Sequence, residues 1–236
     1  MMLDLNRVKG KMLPLLHYRT SCVGLLIVFG IAVIAMGATI IAPRHYAETD
    51  TVNRLRPPSL EYPFGTDVLG RGVFSRVVYG ARIALWVGLF VVFIEASVGI
   101  TLGIIAGYYG GKIDKAISAI TDMVWAFPPI VLALGVVTLI GPGLNQVVMA
   151  IAIVSWPMFT RIIRAKVQSL VNREFILAAR AIGESNLNIM LRYLLPNVAP
   201  SILVLAPLTL PSAILSTTAL SFLGFGLPPD TPDWGI

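Results

Sequence analysis

Apolar residues fall into five long runs, separated by polar stretches rich in Gly and Pro. The first extends from Ser21 to Ala42 without a charge and stops at Pro43. At about 1.5 Å per residue, a helix of that length crosses a hydrocarbon core of about 30 Å. Arg7, Lys9, Lys11 and Arg19 precede it, as basic residues precede a signal peptide. The run is long for a signal peptide and four more follow, so it reads as a membrane anchor. After a polar stretch, 43–82, the second run covers about Ile83 to Gly107. The third starts near Asp122, carries Phe127-Pro128-Pro129 and ends at Gly141-Pro142-Gly143. The fourth goes from Leu144 to about Phe159, with Trp156 and Pro157 fitting a kinked span and an interfacial aromatic. A polar segment, Arg161 to Tyr193, leads to the last run, Pro196 to about Leu227, which holds Pro200, Pro207 and Pro211. Prolines at that density break soluble helices, whereas membrane helices tolerate them when neighbours satisfy the freed carbonyls. The pattern predicts an all-α polytopic transmembrane bundle. Its parts are an N-terminal segment 1–20, a first transmembrane helix 21–42, a polar segment 43–82 and a helical core 83–236.

Composition supports lipid as the solvent. Only 13% of the 236 residues are charged, about half the share of a soluble domain. The net charge of +6 does not indicate nucleic acid, because the basic residues sit in the gaps between apolar runs and form no single stripe. With five spans and the N-terminus inside, the inner segments are 1–20, about 108–121 and 161–195. They collect Arg7, Lys9, Lys11, Arg19, Lys112, Lys115, Arg161, Arg164, Lys166, Arg173, Arg180 and Arg192 against few acids, whereas the outer segments balance basic with acidic residues. That asymmetry predicts a cytoplasmic N-terminus. The single cysteine, Cys22, excludes an internal disulfide, and His17 and His45 flank the first run on opposite sides, which disfavours a shared metal.

Three features inside the runs carry chemical or packing information. Gly99, Gly103 and Gly107 are four residues apart. They place three hydrogen side chains on one helical face, where a neighbouring backbone approaches closely; the reading is helix packing. Glu95 lies mid-run in the second span and Asp122 at the inner edge of the third. A charge at the bilayer centre costs about 2.5–3.5 kcal/mol on insertion scales, so such acids face a cavity or a partner. For Glu95 two readings stand, contact with a pathway or partner and protonated burial. For Asp122 the competing reading is a helix start near the interface.

The segment Asn172-Arg-Glu-Phe-Ile-Leu-Ala-Ala-Arg-Ala-Ile-Gly183 predicts a short amphipathic helix within about 172–190. Phe175, Ala178, Ala179 and Ile182 fall on one face, and Gly183 favours a sharp turn. Pro196 suits the first turn of the next helix. Periodicity alone leaves an ordinary interfacial helix and a docking helix equally open.

Ala178-Ala179, Gly183 and Leu195-Pro196 match the spacing of the "EAA" loop, and here the chain resembles the permeases of ABC importers. In that family the loop docks into a cleft on the ATPase. The resemblance makes Glu174, Phe175, Ala178, Ala179, Arg180, Gly183, Leu195 and Pro196 the ATPase-coupling residues. Leu177 stands where the pattern often has Glu; Glu174 lies one turn earlier. A second set of motifs is Phe64-Gly-Thr-Asp-Val-Leu-Gly-Arg71, Ser75-Arg76 and Tyr79-Gly-Ala-Arg82. With it go Gly107-Tyr-Tyr-Gly-Gly111, Asp114, Asp122, Phe127-Pro128, Leu223-Gly-Phe-Gly-Leu-Pro-Pro229 and Pro232-Asp-Trp-Gly235. These resemble the C-type subunit of the dipeptide, oligopeptide and nickel permeases, with Gly72 replacing a usual Asp. Many of their Gly, Pro and Asp residues are expected to shape turns.

The resemblance implies a type I ABC importer transmembrane domain in a bacterial inner membrane, forming half of a translocation pathway for short peptides, or for nickel or a nickel chelate. It implies a second permease in a heterodimer, one or two ABC ATPases, an extracytoplasmic substrate-binding protein and surrounding lipid. ATP and Mg²⁺ would be held by the ATPase. Gly107 to Lys112 is no phosphate loop, since Ala106 occupies the first glycine position and Ile113 follows the lysine. No G-x-S-x-G, H-E-x-x-H or C-x-x-C occurs, so neither enzyme chemistry nor a metal site is expected. An ATP-independent channel or secondary transporter would explain the spans but not the Ala-Ala-Gly-Leu-Pro spacing. Five spans are visible; the family's sixth is expected beyond Ile236.

Overall fold

A computed structural model describes residues 19–226, 228 and 230–234. The basic residues Arg7, Lys9 and Lys11, together with His17, Leu227, Pro229 and Gly235, lie outside them. Among the described residues every named element is helical. Four helices are long and apolar enough to cross a membrane, and a bent pair brings the number to five if it counts as one span. The described residues divide into two compact units, 19–85 with 230–234, and 86–226 with 228.

The first unit begins with α1 (Arg19–Met36), followed by the single turn α2 (Ala38–Ile41). α1 is apolar on all sides and buries only Ala35, while Leu26, Val28 and Phe29 are about two-thirds exposed. An apolar surface of that kind is solvated by lipid, not water. The loop that follows is held by its own polar groups. Asp67 accepts hydrogen bonds from the Leu69 and Arg71 amides at 2.8 and 2.9 Å and from Arg71 Nε at 2.6 Å. Burial opposes its ionisation, but these donors outweigh burial and hold the carboxyl below the usual carboxylate range. Thr66 Oγ1 donates to the Asn53 carbonyl and accepts from the Arg56 amide. The Phe-Gly-Thr-Asp motif therefore ties down its own loop. Trp234 Nε1 donates to the Val77 carbonyl at 2.8 Å, and its ring occupies the space a Cβ at Gly80 would need. Arg76 donates to the Asp230 carbonyl at 3.0 Å.

The long helix α3 (Val73–Tyr109) starts in the polar stretch, ten residues before the apolar run. Residues from Trp86 onward belong to the second unit. It ends at Gly110 and Gly111, whose φ values of +63° and +53° would strain any residue with a Cβ. α4 (Gly111–Trp125) and α5 (Pro129–Ile140) follow, meeting at 87° across Ala126-Phe127-Pro128. The expected third span is thus neither continuous nor begun at Asp122. Pro128 cannot donate a backbone hydrogen bond and biases Phe127 away from helical geometry, so the helix breaks there.

After Gly141-Pro142-Gly143, α6 (Leu144–Leu170) forms the centre of the second unit, burying Ile151, Val154, Phe159, Ile163 and Val167 among others. The sequence pattern ends this helix at Phe159. It continues through Arg161, Arg164 and Lys166, because Arg and Lys are good helix formers and a charge ends a hydropathy run without ending a helix. The short α7 (Glu174–Ala181) comes next. A turn at Asn186–Asn188 and a wider, π-type turn at Ile189–Leu194 then lead into α8 (Leu195–Phe222). α8 carries Pro196 in its first turn and Pro200, Pro207 and Pro211 inside.

Candidate functional site

Two places in the second unit combine unusual residues with unusual exposure. The first is α7. Arg173 is its N-cap, and Glu174 in the first turn and Arg180 in the last are charges matched to the helix dipole. The far end closes with a Schellman turn. Gly183, at φ +81°, donates to the Arg180 carbonyl at 3.0 Å, and Glu184 donates to the Ala179 carbonyl at 3.1 Å.

The predicted exposed stripe divides in the structure. Phe175, Ala178 and Ile182 are exposed, but Ala179 is buried, as is Ile176. These two residues enter a cluster with Ile104 and Tyr108 of α3, Ile163 and Val167 of α6, Ile189 and Leu194 of the connecting turn, and Val198 of α8. The small alanine lets α7 approach that cluster closely. Arg180 lies over the Tyr108 ring, 5.1 Å from its centroid, and the Tyr108 hydroxyl donates to Asn186 at 2.7 Å. Leu177, at the position of the family's frequent Glu, is 48% exposed. The outer face of α7 is therefore apolar, with Phe175, Leu177 and Ile182 exposed among the described residues, and its inner face is fixed to three long helices. Leu195 is half-buried and Pro196 exposed; both belong to the start of α8.

Gly99, Gly103 and Gly107 lie against α6. A Cβ at Gly103 would stand 2.8 Å from Ile163 Cβ, and one at Gly107 would stand 2.7 Å from Val167 Cβ; Gly99 faces Phe159 Cβ. A pair of ion pairs joins α4 to α6. Asp114 takes a two-pronged contact from Arg164, with Nη2 at 2.7 Å, and a third hydrogen bond from Gln168 at 3.2 Å. Asp122 pairs with Arg161 at 2.5 Å, whose guanidinium stacks 4.1 Å from the Trp125 centroid. The helix-start reading of Asp122 is corrected here, since Asp122 sits in the last turn of α4 and its carboxylate is engaged by an arginine of α6. The two pairs differ in exposure, Asp114 being 15% and Asp122 64% exposed at the side chain. Hydrogen bonds to a largely buried charge contribute about 1.5–3 kcal/mol, and an exposed pair about 0–1 kcal/mol. Asp114→Asn is therefore expected to lower the unfolding midpoint of the purified assembly clearly, and Asp122→Asn to lower it much less, in a thermal-shift comparison.

The second place is a cavity of about 310 Å³ between α3, α6 and α8, reached by Trp125 of α4. Glu95 of α3 lines it and is only 4% exposed. Its carboxyl hydrogen-bonds with Ser155 of α6 and Thr209 of α8, and Ser212 and Ser216 continue the same wall. Among the described residues, Glu95 is the only ionisable one in that lining. The four hydroxyl residues were not singled out from the sequence. A signal existed, because Thr209, Ser212 and Ser216 recur at helical spacing on one face of α8.

Comparison with known proteins adds an independent line. The model of the family "Binding-protein-dependent transport system inner membrane component" matches residues 99–236, a span that contains α7 and the cavity lining other than Glu95. The chain belongs to that family. The dipeptide transport system permease protein DppC of Alkalihalophilus pseudofirmus is 47% identical over 217 residues, covering 92% of this chain and 71% of that protein. The glutathione transport system permease proteins GsiD of Escherichia coli O6:K15:H31 and Shigella sonnei are each 44% identical over 213 residues, covering 89% of this chain and 70% of theirs. The chain is thus an all-α, multi-pass ABC importer permease of the peptide and nickel group.

Proposed function

We propose that this permease carries short peptides, dipeptides foremost, into a bacterial cytoplasm as one half of a heterodimeric pathway. A separate pair of ABC ATPases drives it and an extracytoplasmic binding protein supplies it. The observation that carries the reading is α7, whose outer face presents Phe175, Leu177 and Ile182 to a partner while Ile176 and Ala179 anchor it to α3, α6 and α8. Apolar side chains concentrated on one short helix flanked by arginines mark a protein interface. The names of the relatives support peptide as cargo. ATP and Mg²⁺ belong to the ATPase, and this chain supplies the mechanical link. The excess of basic residues in alternate segments between the spans supports a cytoplasmic side for α7 and the N-terminus.

In mechanism, closure of the ATPase pair on ATP displaces α7. Its buried face cannot slide without carrying the cluster of Ile104, Tyr108, Ile163, Val167 and Val198 with it, because packed interiors move as units. The glycine contact transfers that displacement between α3 and α6, whose side chains wall the cavity. The pathway then alternates between two global states, and docking of the loaded binding protein favours one of them.

Reconstitution with the cognate permease, ATPase and binding protein in proteoliposomes tests this directly. ATP-dependent uptake of a labelled dipeptide is expected. ATP-dependent uptake of labelled nickel with no dipeptide uptake overturns the peptide assignment, and uptake of dipeptide without ATPase overturns the importer mechanism.

A further inference from the structure

The cavity wall around Glu95 has a chemical sign. The two acids of α4 are taken, Asp114 by Arg164 and Asp122 by Arg161. Glu95 has no arginine or lysine among its partners; its neighbours are the hydroxyls of Ser155 and Thr209. Each of these hydroxyls has one proton and two claimants. Ser155 Oγ also donates to the Ile151 carbonyl at 2.8 Å, and Thr209 Oγ1 to the Ala206 carbonyl at 3.2 Å. With the protons directed to the Glu95 carboxylate, each hydroxyl oxygen still keeps lone pairs able to accept from a ligand. The wall then presents a negative charge flanked by acceptors, with no fixed donor of positive charge.

A group that fits such a wall has several N–H donors and a positive charge. An ammonium has three donors and no acceptor, and the α-amino group of a peptide is largely protonated at neutral pH. The cavity, about 310 Å³, falls at the lower end of ligand pockets, roughly 300–1,000 Å³. It has room for the amino end of a short peptide. Acids held within membrane helices recur on substrate pathways because a buried charge needs a functional counter-charge.

We propose that Glu95, with Ser155 and Thr209, forms the subsite that receives the primary ammonium group of the peptide during its passage. The assignment rests on the peptide reading above and names the substrate feature that this subunit recognises. It leaves the peptide carboxylate to groups outside this cavity.

The test compares uptake of labelled Ala-Ala with labelled N-acetyl-Ala-Ala by the complete reconstituted importer, for the wild type and for Glu95→Gln. Any preference of the binding protein for a free amine is common to both forms and cancels in the ratio of ratios, as in a double-mutant cycle. A charge-assisted contact made to the ammonium alone predicts that the free-to-acetylated ratio falls about tenfold in Glu95→Gln. Ser212→Lys, at an exposed position of the same lining, places a competing ammonium in the cavity and is expected to lower the ratio similarly. It carries the test alone if Glu95→Gln does not assemble. Ratios within about twofold of wild type in the assembled variants overturn the subsite while leaving peptide import standing. Uptake of neither peptide by the wild-type importer overturns the peptide reading, and the subsite with it.

Discussion

Ala178→Asp combined with Ile182→Asp is expected to abolish ATP-driven peptide uptake while leaving the permease folded. The two positions are one helical turn apart, Ala178 in α7 and Ile182 at its C-cap, and both are exposed, Ile182 at 77%. Ile182 is the C-cap of α7, but its cap contact is a backbone hydrogen bond to Ala178 that Asp retains; an exposed acid at a helix C-terminus costs about 0.3–1 kcal/mol, so the variant should still extract and purify folded. At the interface the account differs. Losing the burial of one isoleucine forfeits about 1.5–3 kcal/mol, and two carboxylates pressed against a partner add a desolvation cost. At about 1.4 kcal/mol per tenfold, ATPase affinity should fall by a factor on the order of 100 to 1,000. Co-purification of the ATPase with tagged permease reads that loss directly, and uptake should follow it. Ala179→Asp makes the necessary contrast. Ala179 is 2% exposed among Ile104, Tyr108 and Ile176, so its carboxylate would disrupt the inner cluster and destabilise the permease itself. If the exposed pair lost no ATPase, α7 would not be the coupling element.

Much of this arrangement is legible in the sequence because lipid enforces a simple grammar. Long uncharged runs become helices, and the four-residue spacing of Gly99, Gly103 and Gly107 marks a close approach. The Ala-Ala-Gly spacing places a short helix and its turn correctly, down to the positive φ of Gly183. What the pattern misses is tertiary. Hydropathy ends α6 at Phe159 because Arg161 and Arg164 follow, yet both arginines are satisfied by Asp122 and Asp114 of α4, residues far away in the chain. The inward turn of Ala179 is equally hidden, since Ala178 and Ala179 are chemically alike and only the position of Tyr108 and Ile163 distinguishes them. The hydroxyl wall around Glu95 is assembled from three helices, and no local window contains it. Glu95 itself was visible as a charge in an apolar run; its surroundings were not.

The helix contact beneath α7 gives the other large effect. Gly103→Leu is expected to prevent assembly of a functional permease, and Gly103→Ala to weaken it. The first added carbon at position 103 would meet Ile163 Cβ at 2.8 Å and the Thr160 carbonyl oxygen at 2.9 Å. A side-chain tip can rotate away from such a clash, but a backbone carbonyl inside α6 cannot, so the two helices must separate. Overpacking of this kind costs about 1–3 kcal/mol for small additions. Separation also loosens Gly99 and Gly107, which rest against the same face of α6, so the loss propagates along the whole seam. Gly135→Ala in α5 is the matched control. It adds the same methyl group to a membrane-region helix, where nothing lies within 4 Å of the new Cβ. Ala exceeds Gly in helix propensity by about 1 kcal/mol, so this change should be neutral or slightly stabilising. Size-exclusion profiles and unfolding midpoints of the three variants, measured alongside dipeptide uptake, separate the outcomes. A Gly103→Leu importer that assembled and transported normally would mean that α3 and α6 do not need this contact to pass motion from α7 to the cavity.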